Sequence, residues 1–135
     1  MSKNIEEIEG IGPTYGKKLT DCGVKTVEAL LEQGASKGGR KKIAADSGID
    51  EGKILDWVNM ADLFRIKGVA SQFAELLKGA GVDTVKELRN RKPENLHAKL
   101  VETNEAKKLV RIVPGAEKVA DFVEQAKGLE PKVTH

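Results

Sequence analysis

Ile8-Glu9-Gly10-Ile11-Gly12-Pro13-Thr14-Tyr15-Gly16-Lys17-Lys18-Leu19 decides the fold of this chain. Glu9-Gly10-Ile11-Gly12 makes a tight turn, in which glycine takes a positive φ and lets another backbone approach closely. Pro13 then opens a helix, because a first-turn residue has no use for the N–H that proline lacks. Tyr15, Gly16 and Leu19 follow at helical spacing, with small Gly16 letting a neighbouring helix come near. Cys22-Gly23-Val24 ends that helix, and another starts at Thr26 and runs to about Gln33. A short helix ending near Ile8 precedes the turn.

The same pattern recurs. Ile8 to Leu30 realigns on Ile66 to Leu88 at a constant shift, so that Gly10, Ile11, Tyr15, Leu19, Gly23, Val24 and Thr26 meet Gly68, Val69, Phe73, Leu77, Gly81, Val82 and Thr84. Farther on, Lys53-Ile54-Leu55-Asp56-Trp57-Val58 meets Lys118-Val119-Ala120-Asp121-Phe122-Val123, with extra residues inserted in the second copy. A fixed period of this kind marks two structural repeats. Thr84-Val85-Lys86-Glu87 has the form of a capping box.

Between these landmarks Gly38-Gly39 reads as a loop, and Arg40 to Asp46 as a short helix stopped by Gly48. Asp50 caps the next helix, Ile49 and Ile54 suit a hydrophobic staple, and Ile54, Trp57, Val58 and Ala61 form an apolar stripe. In the second copy Pro93 opens a helix to about Thr103, Glu105 to Arg111 forms a shorter one, and Ala116 to Lys127 follows the break at Val113-Pro114. No run alternates long enough for a sheet. The expected architecture is all-α: a first unit over 1–61, a second over 62–129 packed against it, and a frayed tail at 130–135.

Composition sets the bounds. The chain has 135 residues, 39% hydrophobic and 33% charged, which is apolar enough to fold and too mixed for a disordered tail. No stretch approaches a membrane span and the opening residues lack a signal peptide's apolar segment, so a cytoplasmic address is the default expectation. Cys22 is the single cysteine, has no disulfide or zinc partner, and is expected to be a small buried apolar residue. Net charge is only +2, but its distribution is uneven. Through Asp62 there are 9 Lys/Arg against 11 Asp/Glu, and from Leu63 onward 14 against 10. The second half is the basic one.

The apolar-x-Gly-apolar-Gly turn with its following small and apolar residues resembles the helix-hairpin-helix motif. Ile66-Lys67-Gly68-Val69-Ala70-Ser71-Gln72-Phe73-Ala74 resembles it too, departing at Ala70, where that motif has its second glycine. Over nearly the whole chain, including Trp57-Val58-Asn59 and Ala61-Asp62-Leu63, the sequence is similar to a prokaryotic family filed as domain of unknown function 4332. The resemblance implies two tandem helix-hairpin-helix units of the SAM-like bundle type, and it carries no activity.

In DNA-binding members of the wider superfamily, the turn amides and the start of the second helix hold a phosphate. The physics is general: free N–H groups at a helix start, with the dipole behind them, bind anions without reading bases. Gly10, Gly12 and Thr14 would supply such a cradle, with Lys17 and Lys18 one turn along. Gly68, Ala70 and Ser71 would supply the second, flanked by Arg65 and Lys67, and the pair would straddle a minor groove. Glu6, Glu7, Glu9 and Glu75 oppose this by repelling phosphate, and Ala70 suits close approach less than glycine. A plainer reading makes both hairpins packing elements, and a third makes the chain a protein-interaction or self-assembly scaffold.

The remaining candidates read as structural. Arg40-Lys41-Lys42 is expected to be a solvated basic loop, Trp57 and Phe122 core anchors, and His97 and His135 surface residues without metal-ligand spacing. No nucleophile with a base, paired acid and base, or nucleotide-binding loop occurs, so no enzyme activity, cofactor, metal or small-molecule substrate is expected. The leading expectation is a sequence-independent binder of double-stranded or structured DNA, with protein docking as the alternative.

Overall fold

The computed structural model describes residues 3–134. Among them it forms eight α-helices and no strand, and His135 lies outside the described residues. The chain divides into two compact units, 1–62 joined by 132–135, and 63–131.

In the first unit a 3-10 turn at Ile5–Glu7 precedes α1 (Pro13–Asp21), α2 (Val27–Gly34), α3 (Lys37–Ser47) and α4 (Glu51–Leu63). The end of α1 follows from its sequence: Gly23 takes φ +88°, its N–H donates to Thr20 O, and the Val24 N–H reaches back to Leu19 O. This is the Schellman ending, in which the left-handed residue lets orphan carbonyls be satisfied. Val24 and Leu19, which meet across that ending, are both fully buried. Thr26 caps α2 through its hydroxyl, which accepts the Ala29 N–H. Ile5, Ile8, Leu30, Ile43, Ile54 and Val58 fill the core, and every residue from Trp57 to Leu63 is buried.

Gly38-Gly39 is not a loop. Both glycines lie in the first turn of α3, which Ser36 caps by accepting the Gly39 N–H at 3.0 Å. The glycine serves close approach, since a β-carbon at Gly39 would fall 1.9 Å from the carbonyl oxygen of Gln33. Arg40 is likewise no solvated residue: it is 3% exposed. Its Nη1 donates to Gly34 O at 2.8 Å and Ala35 O at 3.0 Å, and its Nη2 to Thr134 O at 2.6 Å. Lys41 and Lys42 remain exposed. Residues 130–134 carry no helix, yet Val133 is buried and the Thr134 N–H donates to Ala35 O at 2.8 Å. The segment read as a frayed tail is therefore anchored, and the signal for it is spread over 94 residues of sequence separation.

The second unit repeats the plan with α5 (Ser71–Gly79), α6 (Val85–Leu88), α7 (Pro93–Lys107) and α8 (Ala116–Lys127). α5 ends on Gly81 at φ +93°, with Val82 N–H bonded to Leu77 O and Gly81 N–H to Lys78 O, the same ending as α1. α7 is one continuous helix to Lys107, where the sequence suggests two. It stops because Lys108 adopts φ +50° and its N–H caps back onto Asn104 O. Residues 109–111 are not helical. Leu76, Leu77, Leu88, Leu100, Phe122 and Val123 make the core of this unit.

Candidate nucleic-acid interface

The two turns that precede α1 and α5 are built alike, residue for residue. In the first, the Ile11 N–H donates to Ile8 O at 3.1 Å and Gly10 stands at φ +94°. In the second, the Val69 N–H donates to Ile66 O at 3.1 Å and Gly68 stands at φ +95°. Such a φ is costly for any residue with a β-carbon, so the first position of each turn strongly favours glycine. The branched residues on either side, Ile8, Ile11, Ile66 and Val69, are buried and fix each turn to its unit. The glycines between them face solvent.

The second position differs from the first. Gly12 at φ −85°, ψ −174° and Ala70 at φ −105°, ψ −175° are both extended N-caps, which any residue adopts. Alanine at position 70 therefore costs the turn nothing in backbone geometry, and the departure from the glycine pattern does not distort it. Neither helix start has a side-chain cap. Gly12, Thr14 and Ala70 are exposed, and Ser71 is half-buried. An uncapped helix start open to water carries the partial positive charge of its first-turn amides.

Charge around the two turns is unequal. At the first, the Glu6 carboxylate rests on Gly16, with Oε2 3.3 Å from where a β-carbon would stand, and Glu9 is exposed beside the turn. Lys17 bonds Asp21 at 3.1 Å, a pair too exposed to hold the lysine strongly, and Lys18 is exposed. At the second, the equivalent positions are Phe64 and Lys67. Arg65 donates to Glu130 O at 2.8 Å, so its guanidinium is turned partly to structure. Lys67 has its backbone clamped on both sides by the Gln125 amide, at 2.9 and 3.2 Å, and leaves its side chain in water. Glu75 lines a hollow of about 400 Å³ with Lys78 and Lys107, which offset its charge.

Two further cations lie nearby, one at the second turn and one over α1. Lys118 Cε comes within 3.9 Å of a β-carbon placed on Gly68, and Lys53 Nζ stands 6.0 Å from the Tyr15 ring centroid at the start of α1. These lysines hold equivalent positions in the aligned segments, 53–58 and 118–123, so the repeat itself contains the signal. Read as sequence, those segments stand out only for their aromatics.

The aromatics are packing groups, as their spacing suggests. Trp57 is 5% and Phe122 1% exposed, so neither offers a face for a base. Trp57 also packs on Tyr15, ring centroids 5.2 Å apart. Cys22 departs from expectation: it is half-buried, at the end of α1, where it lines a hollow of about 220 Å³ with Gln33 and Lys42. His97 is half-buried on α7. No helix among the described residues is long and apolar enough to cross a membrane.

Fold and turns together define a duplicated all-helical protein in which the same glycine turn, at Gly10 and at Gly68, precedes α1 and α5. The chain belongs to the family described as Domain of unknown function (DUF4332), whose model matches residues 9–129. No curated protein and no solved structure matches it.

Proposed function

We infer that this protein is a non-catalytic accessory that binds double-stranded or structured DNA through its backbone phosphates, without reading sequence. The observation that carries this reading is the recurrence of one exposed, uncapped turn ahead of α1 and α5, with a lysine from the unit's last helix at the second turn, Lys118, and its equivalent Lys53 over Tyr15 of α1 in the first unit. As helix-hairpin-helix elements, the turns offer amides at Gly10, Gly12 and Thr14, and at Gly68, Ala70 and Ser71. Lys17, Lys18 and Lys53 flank the first, and Arg65, Lys67 and Lys118 the second. Amides and lysines of this kind hold phosphate oxygens and discriminate little between bases. The more cationic second turn is the stronger of the two, because Lys67 and Phe64 replace the carboxylates that crowd the first.

Binding of this type is micromolar and weakens steeply with salt, since each neutralised phosphate releases counterions. Fluorescence anisotropy on duplex, single-stranded and junction DNA, at low and moderate salt, tests it. No binding to any of them at low salt ends the proposal.

A second reading, a protein-docking or self-assembly module, is favoured by the Glu6 carboxylate lying over the first turns of α1, which repels phosphate. Pull-down from the source cells with and without nuclease separates the two. Partners that survive nuclease support docking, and partners that vanish support DNA.

A further inference from the structure

The eight residues 108–115 join α7 to α8, whereas the matching link between α3 and α4 is three residues, 48–50. This insertion is held in place. The Asn104 side chain accepts the Val110 N–H at 2.9 Å and donates to Val110 O at 3.0 Å, so one amide grips both backbone groups of a loop residue. Val110 and Pro114 are buried on either side of the tip. The tip itself is Ile112, which is 80% exposed. Lys107, Lys108 and Arg111 are exposed around it, and no acidic residue occurs between Glu105 and Glu117.

A lone exposed isoleucine on a surface is ordinary. An isoleucine at the tip of a loop anchored at both shoulders, inside an acid-free stretch with three cations, fits a narrower class of partner. That partner is polyanionic outside and apolar one layer in. Stacked bases behind a phosphate backbone have this character, and apolar side chains enter them as wedges between base steps. The cost of such entry is unstacking, which is smallest where the stack is already interrupted.

We propose that Ile112 is a wedge and that, given the DNA-binding reading on which this rests, the second unit prefers duplex DNA interrupted by an unpaired or unstacked step. Lys108 and Arg111 hold the flanking phosphates, and Ile112 fills the gap in the stack. The rigid Asn104–Val110 clamp keeps the tip presented, so no ordering cost is added on binding.

The test compares wild type with Ile112→Ser, by anisotropy, on one duplex and on the same duplex carrying a single-nucleotide bulge. Ile112 is exposed, so the substitution leaves the fold intact, checked by circular dichroism. Wild type is expected to bind the bulged duplex about tenfold tighter, from burial of one aliphatic side chain without the unstacking cost. Ile112→Ser is expected to bind both alike, at the wild-type affinity for intact duplex. Lys108→Ala with Arg111→Ala is expected to weaken both DNAs in parallel. Equal wild-type affinity for the two duplexes, or a preference that survives in Ile112→Ser, overturns the wedge while leaving DNA binding standing. Absence of wild-type binding to either removes the parent reading and the wedge with it. Co-sedimentation with phosphatidylserine vesicles that is lost in Ile112→Ser, without any DNA preference, assigns the tip to a lipid surface and overturns the proposal.

Discussion

Phe122 lies against the turn glycine Gly68, with its Cε1 only 3.2 Å from the point where a β-carbon on that glycine would stand. The aligned pair in the first unit is looser, Trp57 Nε1 standing 3.5 Å from the same point on Gly10. Both glycines share a positive φ, so alanine at either incurs the left-handed strain of about 1–2 kcal/mol. At Gly68 it must also displace a ring that is 1% exposed and has little room to give. Gly68→Ala is therefore expected to lower stability by about 2 kcal/mol or more, and Gly10→Ala by less. Urea denaturation checks the order. Equal destabilisation would mean that backbone strain alone decides and that the packing of Phe122 is slack.

Gly12 separates turn geometry from ligand approach. Its φ is −85° and nothing lies within 4 Å of a β-carbon placed there, so Gly12→Ala is expected to cost at most about 1 kcal/mol, the difference between glycine and alanine at an N-cap. The added methyl stands at the uncapped helix start, where it would crowd a phosphate. A several-fold loss of DNA affinity with a nearly unchanged denaturation midpoint is expected. Unchanged affinity would take the first turn out of the interface and leave binding to the second.

Lys118 and Lys53 test whether the repeated lysine is part of the interface. Both are exposed, so alanine at either leaves the core untouched. Removing a lysine that neutralises one phosphate is expected to flatten the logarithmic salt dependence of binding by about 0.9. Lys118→Ala is expected to weaken binding more than Lys53→Ala, because Glu6 and Glu9 already crowd the first turn. Anisotropy titrations at three or more salt concentrations give the slopes. An unchanged slope in Lys118→Ala would move the anion site away from Gly68.

Much of this architecture is legible in the sequence because its signals are local. Positive-φ glycines before a branched residue, proline at a helix start and a glycine shortly after the last apolar helical position each specify a bend by sterics, and Gly10, Pro13, Gly23, Gly68 and Gly81 fall where that pattern puts them. What the sequence does not disclose depends on tertiary neighbours. Gly39 looks like a loop residue until Gln33 O is seen beside it, and Ser36, its cap, is the local sign of the helix. The continuity of α7 through Asn104 to Lys107 is hidden because polar residues there blur the apolar period. Lys53 and Lys118 are visible as a repeated pair, but only their placement beside Tyr15 and Gly68 connects them with the turns.

Arg40 makes the sharpest case for such long-range effects, and it carries the last prediction. Its guanidinium is buried and donates to three carbonyl oxygens, those of Gly34, Ala35 and Thr134. Carbonyls buried without a donor cost about 1–3 kcal/mol each, whereas a buried charge itself costs desolvation, so the two effects of removing the guanidinium oppose. Arg40→Met keeps the length and apolar stem of the side chain and removes every donor. Only the Gly34 carbonyl is stranded in the interior, since Ala35 O keeps the Thr134 N–H and Thr134 is exposed, so against one charge relieved a net loss of about 1 kcal/mol is expected. Arg40→Lys, with a single nitrogen, cannot span carbonyls from both Gly34 and Thr134 in the same planar fork and is expected to fall between. The Thr134 N–H, bonded to Ala35 O, reports the local consequence: its hydrogen exchange is expected to accelerate in both variants before the rest of the unit opens. Wild-type protection at Thr134 in Arg40→Met would show that Val133 burial, and not the guanidinium, holds residues 132–134 in place.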